Sequence, residues 1–219
     1  DMAATTEAHA QALANIVQAN LEAVALIRTD RSGWWIGSEG FDIPVAVNDS
    51  PEATAEVERI RALGWLVWDL HFGHEPGVAG YFDGLDVAQL ARIRSLAQHD
   101  CLVAGLDIYP ISVMPVGGDR PTWTSRELIN LAVAEIERWH DRYEHPFWIA
   151  ETSNLTLPRP ARGICWYSRG DQFDWQTALI EPTGAVTEVG LYDTERRARP
   201  VAARFKELAD GDGRQPQIS

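Results

Sequence analysis

Apolar positions recur along this chain at two spacings, and the alternation between them predicts its elements. Ala10, Leu13, Ile16, Val17, Leu21, Val24 and Ile27 form one stripe at helical spacing, so residues 5 to 29 are expected to be helical. Thr5 or Thr6 can cap this helix, and Glu7 places acid near its start. Asp30 to Gly33 break it. Trp34 to Gly37 read as a short strand that ends in Ser38-Glu39-Gly40-Phe41-Asp42. Pro44 to Pro51 read as loop, with Ser50 capping a helix over about 51 to 72 and Pro51 at its first position. A loop rich in Gly and Pro follows from Gly73 to Gly84, then a helix over 86 to 98. Leu102 to Asp107 is a strand closing with Ile108-Tyr109-Pro110, followed by a loop holding Gly117, Gly118 and Pro121. Ser125 is expected to cap a helix reaching Tyr143, with Leu128, Leu131, Ala132, Ile136 and Trp139 facing inward.

Residues 146 to 175 hold two short apolar runs, each delivering polar and aromatic residues at its C-terminal end. Runs this short, rich in aromatic and branched residues, read as buried parallel strands. Residues 177 to 192 suggest a hairpin around Pro182-Thr183-Gly184, 197 to 209 a last helix, and 211 to 219 a disordered tail. Strands alternating with helices imply a parallel α/β sheet, here one domain over 1 to 210. In a parallel barrel, chemistry sits at the C-terminal strand ends. Glu151 leaves its strand there, and Asp174 and Trp175 lie just past the next one. On position alone, a Glu after a strand is most often a loop residue or a helix cap.

Composition narrows the partners. Lys+Arg 19 against Asp+Glu 32 gives a net charge of −13, which argues against nucleic acid and anionic membranes. Lys206 is the only lysine. Cys101 and Cys165 are two isolated thiols, neither a disulfide framework nor a zinc site, and they fit a reduced, cytoplasmic setting. No basic segment followed by an apolar run marks a signal peptide, and no unbroken apolar run approaches a membrane span. His71 and His74 form a His-x-x-His pair, which reads first as a loop or helix-end pair and only weakly as metal ligands. Nine tryptophans suit either the walls of a sugar site or core filling.

Several motifs in order resemble the C-terminal half of family 1 glycoside hydrolases, the β-glucosidase-like barrels. Glu7-Ala8-His9-Ala10 is similar to the start of the helix before the family's fifth strand, and Asp69 through Gly80-Tyr81 to its aspartate-then-Gly-Tyr-Pro loop, with Phe82 in place of Pro. Gly105-Leu106-Asp107-Ile108-Tyr109 is similar to the sixth-strand Gly-Leu-Asn-Tyr-Tyr. Ile149-Ala150-Glu151-Thr152-Ser153 is similar to the seventh-strand Ile-Thr-Glu-Asn-Gly, keeping the Ile and the Glu. Tyr167 to Trp175 is similar to the eighth-strand Trp-Ser-Leu-x-Asp-Asn-Phe-Glu-Trp, with Ser168, Asp171, Phe173 and Trp175 matching and Asp174 replacing Glu. Gly190-Leu191-Tyr192-Asp193, then Arg199-Pro200, resembles the closing segment.

The resemblance implies a (β/α)8 TIM barrel of which this chain carries about strands five to eight. It implies a retaining hydrolase of β-linked glucoside-like sugars, without cofactor or metal, in which two carboxylates lie roughly 5 Å apart. Glu151 matches the nucleophile and Tyr109 the tyrosine that orients it. Asp107, Asp174 and Trp175 match residues lining the sugar site, and Tyr167 falls where the family places a tryptophan near the aglycone. Asp107, standing where the family has Asn, adds a charge that would raise a neighbouring carboxylate's pKa unless an arginine offsets it. Arg169 is one candidate, though a solvated loop arginine is the plainer reading. The family's acid/base lies in an Asn-Glu-Pro motif upstream of the helix that opens this chain, and no such motif occurs here. Glu39 at the fifth strand's end is a poor substitute. Four strands would leave two open edges, so the other half of the barrel is expected in cis or in trans. The departures leave two further readings open, a hydrolytically impaired carbohydrate-binding module and a transglycosidase.

Overall fold

A computed structural model describes residues 6–30, 35–40, 42–97, 102–152, 164–174, 180 and 182–210. The chain forms two compact units, Asp1–Ala150 with Asn154–Ile164 and Glu151–Ser153 with Cys165–Ser219.

The first unit begins with α1 (Thr6–Asp30) and β1 (Trp35–Gly40), as the periodicity predicts. Over Thr6–Arg28, α1 has the length and apolar composition of a membrane span, although His9, Gln11, Asn15, Gln18, Asn20 and Glu22 interrupt its apolar run. Ala10, Ala14, Val17, Leu21 and Val24 are nevertheless buried, where the helix packs on α3 (Leu66–Phe72) and α4 (Val87–Leu96). The expected helix over 51 to 72 is two helices, α2 (Pro51–Gly64) and α3, parted at Trp65. Gly64 is a weak helix former at the break, and the Trp65 amide turns back to the Arg61 and Leu63 carbonyls. Every residue of α3 is buried, so it has no polar face that a stripe search could find.

Two expected loops instead pair as a parallel two-stranded sheet, β2 (Ile43–Ala46) with β4 (Val113–Val116). Pro44 and Pro115 hid these strands, yet a strand with one free edge tolerates a residue that cannot donate. Between them lie α2, α3, α4, β3 (Leu102–Asp107) and a 3-10 turn at Pro110–Ser112. α5 (Ser125–Tyr143) is capped by Thr124 rather than Ser125: Thr124 and Glu127 form a reciprocal capping box. β5 (Phe147–Thr152) follows and passes from the first unit into the second.

The main sheet has four strands in the order β1-β3-β5-β6, where β6 is Ile164–Trp166. β1 and β3 run parallel, from Trp35 opposite Leu102 to Gly40 opposite Asp107. The sheet is open; among the described residues no barrel closes.

The core of the first unit is aromatic. Trp68 stacks on Phe72 at 5.7 Å between centroids and meets the edge of Trp139 at 5.6 Å, and Trp139 meets Phe147 at 5.7 Å. All four side chains are essentially sealed from solvent, and burial stabilises each by roughly 2–3 kcal/mol. Two ion pairs with buried carboxylates join helices around this core. Glu135 of α5 takes a fork from Arg61 of α2, with Nε at 2.6 Å and Nη2 at 3.0 Å. Asp69 accepts from Arg142 Nη2 at 2.6 Å, the Tyr143 hydroxyl at 2.8 Å and the Gly77 amide at 2.9 Å. Burial and the Asp69 charge push the Tyr143 phenol far above its ordinary pKa.

The second unit carries β7 (Gln172–Phe173), β8 (Val186–Thr187) and α6 (Pro200–Asp210). β7 and β8 pair antiparallel, so the hairpin has its first arm before residue 174 and not within 177 to 192 as expected. α6 starts at Pro200, where the proline's missing donor is harmless, rather than at 197. The tail at 211–219 lies outside the described residues.

Candidate active site

Glu151 is the penultimate residue of β5. Along that strand Phe147 and Ile149 are buried, Trp148 is exposed, Glu151 is half-buried and Thr152 is sealed. The Thr152 carbonyl accepts the Tyr167 amide at 2.7 Å, so the backbone of Tyr167 is anchored one residue beyond Glu151. The Tyr167 hydroxyl donates to Gln172 Oε1 at 2.8 Å, and the Tyr167–Ser168 peptide is cis. The second unit therefore gathers Glu151 and Tyr167 around the start of the 167–174 loop.

Asp174 ends that loop with φ at 58°, a left-handed conformation that aspartate tolerates. Its amide donates to the Ala185 carbonyl at 2.8 Å, and its Oδ1 accepts from the Thr183 hydroxyl at 2.7 Å. That hydroxyl, with the amides of residues 183 to 185, holds the Asp174 carboxyl below its ordinary pKa. Asp174 thus supplies a fully ionised acceptor at neutral pH, already engaged with the hairpin turn. Trp175 lies outside the described residues.

The first unit carries the other two candidates. Asp107 is the last residue of β3, half-buried, opposite Gly40 at the end of β1. A Cβ at residue 40 would lie 3.5 Å from the Asp107 carbonyl oxygen and 3.9 Å from its Cβ and Cγ, ordinary van der Waals contact. Tyr109 follows two residues later, half-buried, and its carbonyl accepts the Ser112 amide at 2.9 Å, which starts the 3-10 turn. Ile108 between them is fully buried and fixes where the strand ends.

Three other sequence candidates resolve differently. Arg169 is exposed, in keeping with the solvated reading. The Glu39 side chain lies outside the described residues. His71 is a core histidine: Nδ1 bonds the Val67 carbonyl at 2.8 Å, Nε2 lies 3.2 Å from the Asn20 amide, and burial lowers its pKa. Among the described residues no group of three or more His, Cys, Asp or Glu could hold a metal ion.

Sequence reasoning gave Asp171, Gly190 and Arg199 no role, although all three lie within recognised motifs. Asp171 Oδ1 accepts the Gly190 amide at 3.0 Å and Oδ2 accepts Arg199 Nη2 at 2.5 Å. Its side chain is 2% exposed. The only available signal was the motif match itself, since a polar anchor leaves no trace in hydrophobic periodicity.

No family model matches the sequence, and no curated protein matches it either. Among solved structures, the chain is similar to the crystal structure of a β-glucosidase from Exiguobacterium marinum, with a TM-score of 0.65 at 14% identity. The likeness covers 95% of this chain and 59% of that one. The fold is therefore glycosidase-like.

Proposed function

We propose that this chain is the C-terminal half of a (β/α)8 glycosidase barrel, contributing the nucleophile side of a retaining centre for β-linked glucoside-like sugars. The observation that carries the proposal is the likeness to a β-glucosidase over 95% of the chain, which agrees with the order of motifs read from the sequence. Glu151, at the end of a strand of the main sheet, attacks the anomeric carbon and forms a covalent glycosyl-enzyme. By the motif match, Tyr109 takes the role of the tyrosine that orients the nucleophile. Asp107, Tyr167, Asp174 and Trp175 bind the sugar and its aglycone. The acid/base that protonates the leaving oxygen comes from the other half of the barrel, in cis or in trans. The chain spans 59% of the length of the β-glucosidase it resembles, which leaves room for that half. The exposed free thiol of Cys165 suits a reducing, cytoplasmic setting.

A second reading, an impaired module that binds sugar without cleaving it, draws on one observation. Asp174 already spends an oxygen on Thr183, and the shorter aspartate arm brings less reach than the family's glutamate. Azide rescue separates the two. Glu151→Gly should lose hydrolysis of a dinitrophenyl β-glucoside, and azide should restore turnover with an α-glycosyl azide as product. Absence of turnover in the parent protein, with retained sugar binding, selects the module.

A further inference from the structure

The Asp171 carboxylate lies outside the roles just assigned, yet both its oxygens are engaged and its side chain is buried. Three backbone bonds tie the 167–174 loop to residues 189–199: Leu191 to Ser168, Tyr192 to Arg169 and Asp171 to Tyr192, each amide donating at 3.0 Å; within 189–199 the Arg199 amide closes the turn onto Leu191 at 2.9 Å. The Gly190 amide and Arg199 Nη2 then converge on the two oxygens of Asp171. Gly190 itself leaves no slack, since a Cβ there would lie 2.3 Å from the Gly170 carbonyl carbon and 2.4 Å from the Asp171 nitrogen. Arg199 grips through its Nη atoms alone, with Nη1 at 3.6 Å from Glu188 and a buried Nε that has no partner among the described residues. The loop so clamped begins at Tyr167 and ends at Asp174.

We infer that Asp171 is a positioning residue for the sugar site, setting the course of the loop that presents Tyr167 and Asp174. The inference rests on the glycosidase reading. It makes a specific demand: the clamp acts on the 168–171 stretch of the loop, whereas Glu151 is carried by β5, which bonds the loop at Tyr167. Loosening the clamp therefore weakens sugar binding and leaves nucleophilic attack nearly intact. A loss of binding common to ground state and transition state has that signature.

The test uses the intact polypeptide with 2,4-dinitrophenyl 2-deoxy-2-fluoro-β-glucoside, whose covalent labelling separates a binding constant from a rate of attack. Asp171→Asn keeps the shape and an acceptor but loses the charge that Arg199 grips. It should raise the inactivator's binding constant by about tenfold and change the attack rate by no more than about threefold. Arg199→Lys retains a single cationic donor and should recover most of the binding, whereas Arg199→Gln should not. Circular dichroism and the melting temperature identify variants that fold, and the Arg199 pair carries the test if Asp171→Asn does not. Folded variants with unchanged binding, or with binding and attack falling together, overturn the positioning role while the glycosidase reading stands. A parent protein that takes no label overturns the reading and this inference with it.

Discussion

The two units of this molecule are held together by different physics. In the first, Trp68, Phe72, Trp139 and Phe147 are sealed in one core, and the charges inside it are paired. In the second, Phe173, Ile180, Val186 and Tyr192 are exposed, and the visible ring contact is Trp166 on Phe205 at 6.5 Å. Its order comes from backbone bonds between 168–171 and 190–192, from Asp171 and from Gly190. Hydrophobic burial is additive and non-directional, and it tolerates local error. Hydrogen bonds contribute roughly 1 kcal/mol each and demand geometry. The first unit is thus ordered chiefly by its apolar core, and the described part of the second by directional backbone and side-chain bonds.

Four substitutions test that contrast. Trp139→Ala should cost about 3–5 kcal/mol and abolish cooperative unfolding of the first unit, read by chemical denaturation. Glu135→Ala leaves the buried Arg61 with only the exposed Glu58 as an acidic partner and should cost about 3 kcal/mol, whereas replacing both Glu135 and Arg61 by apolar residues of similar volume should cost little or stabilise. If the double replacement is as damaging as the single one, the ion pair contributes more than mutual compensation. Gly190→Ala should cost about 1–3 kcal/mol by overpacking. That loss should appear as faster hydrogen exchange at the amides of 168–192, with protection of the first unit unchanged. Slower exchange, or loss spread over both units, would erase the distinction drawn between them.

The smallest effect lies at Asp174. Its folded-state pKa is depressed, so its bond with the turn adds stability above the ordinary aspartate range and loses it as pH falls through the folded value. Thr183→Ala should move the Asp174 midpoint upward in a carboxyl-detected NMR titration. An unmoved midpoint would assign the shift to the backbone amides alone.

The same contrast decides what was legible in the sequence. α1 and α5 announce themselves through apolar spacing, because burial on one face imposes a period, and β3 and β5 as short apolar runs. α3 is buried on all sides and merged with α2 for want of a polar face. β2 and β4 were hidden by Pro44 and Pro115. Thr124 lost the cap to its neighbour Ser125, although Glu127 three residues on marked it. For the site, motif order pointed to Glu151, Tyr167 and Asp174, and the structure anchors Tyr167 one residue beyond Glu151. It could not reveal that Asp174 bonds Thr183, nor that Asp171 and Arg199 meet across 28 residues. Such contacts depend on side-chain geometry rather than on any periodic property of the chain.

The central claim is that Glu151 is a glycosidase nucleophile. The most direct measurement incubates the intact polypeptide with a dinitrophenyl 2-deoxy-2-fluoro-β-glucoside and maps the labelled peptide by mass spectrometry. The leaving group departs without an acid, so the nucleophile is examined by itself. One fluoroglucosyl group on Glu151, absent from Glu151→Gln, is the expected result. A label on another carboxylate, or none in a protein that still binds glucosides, would contradict the claim.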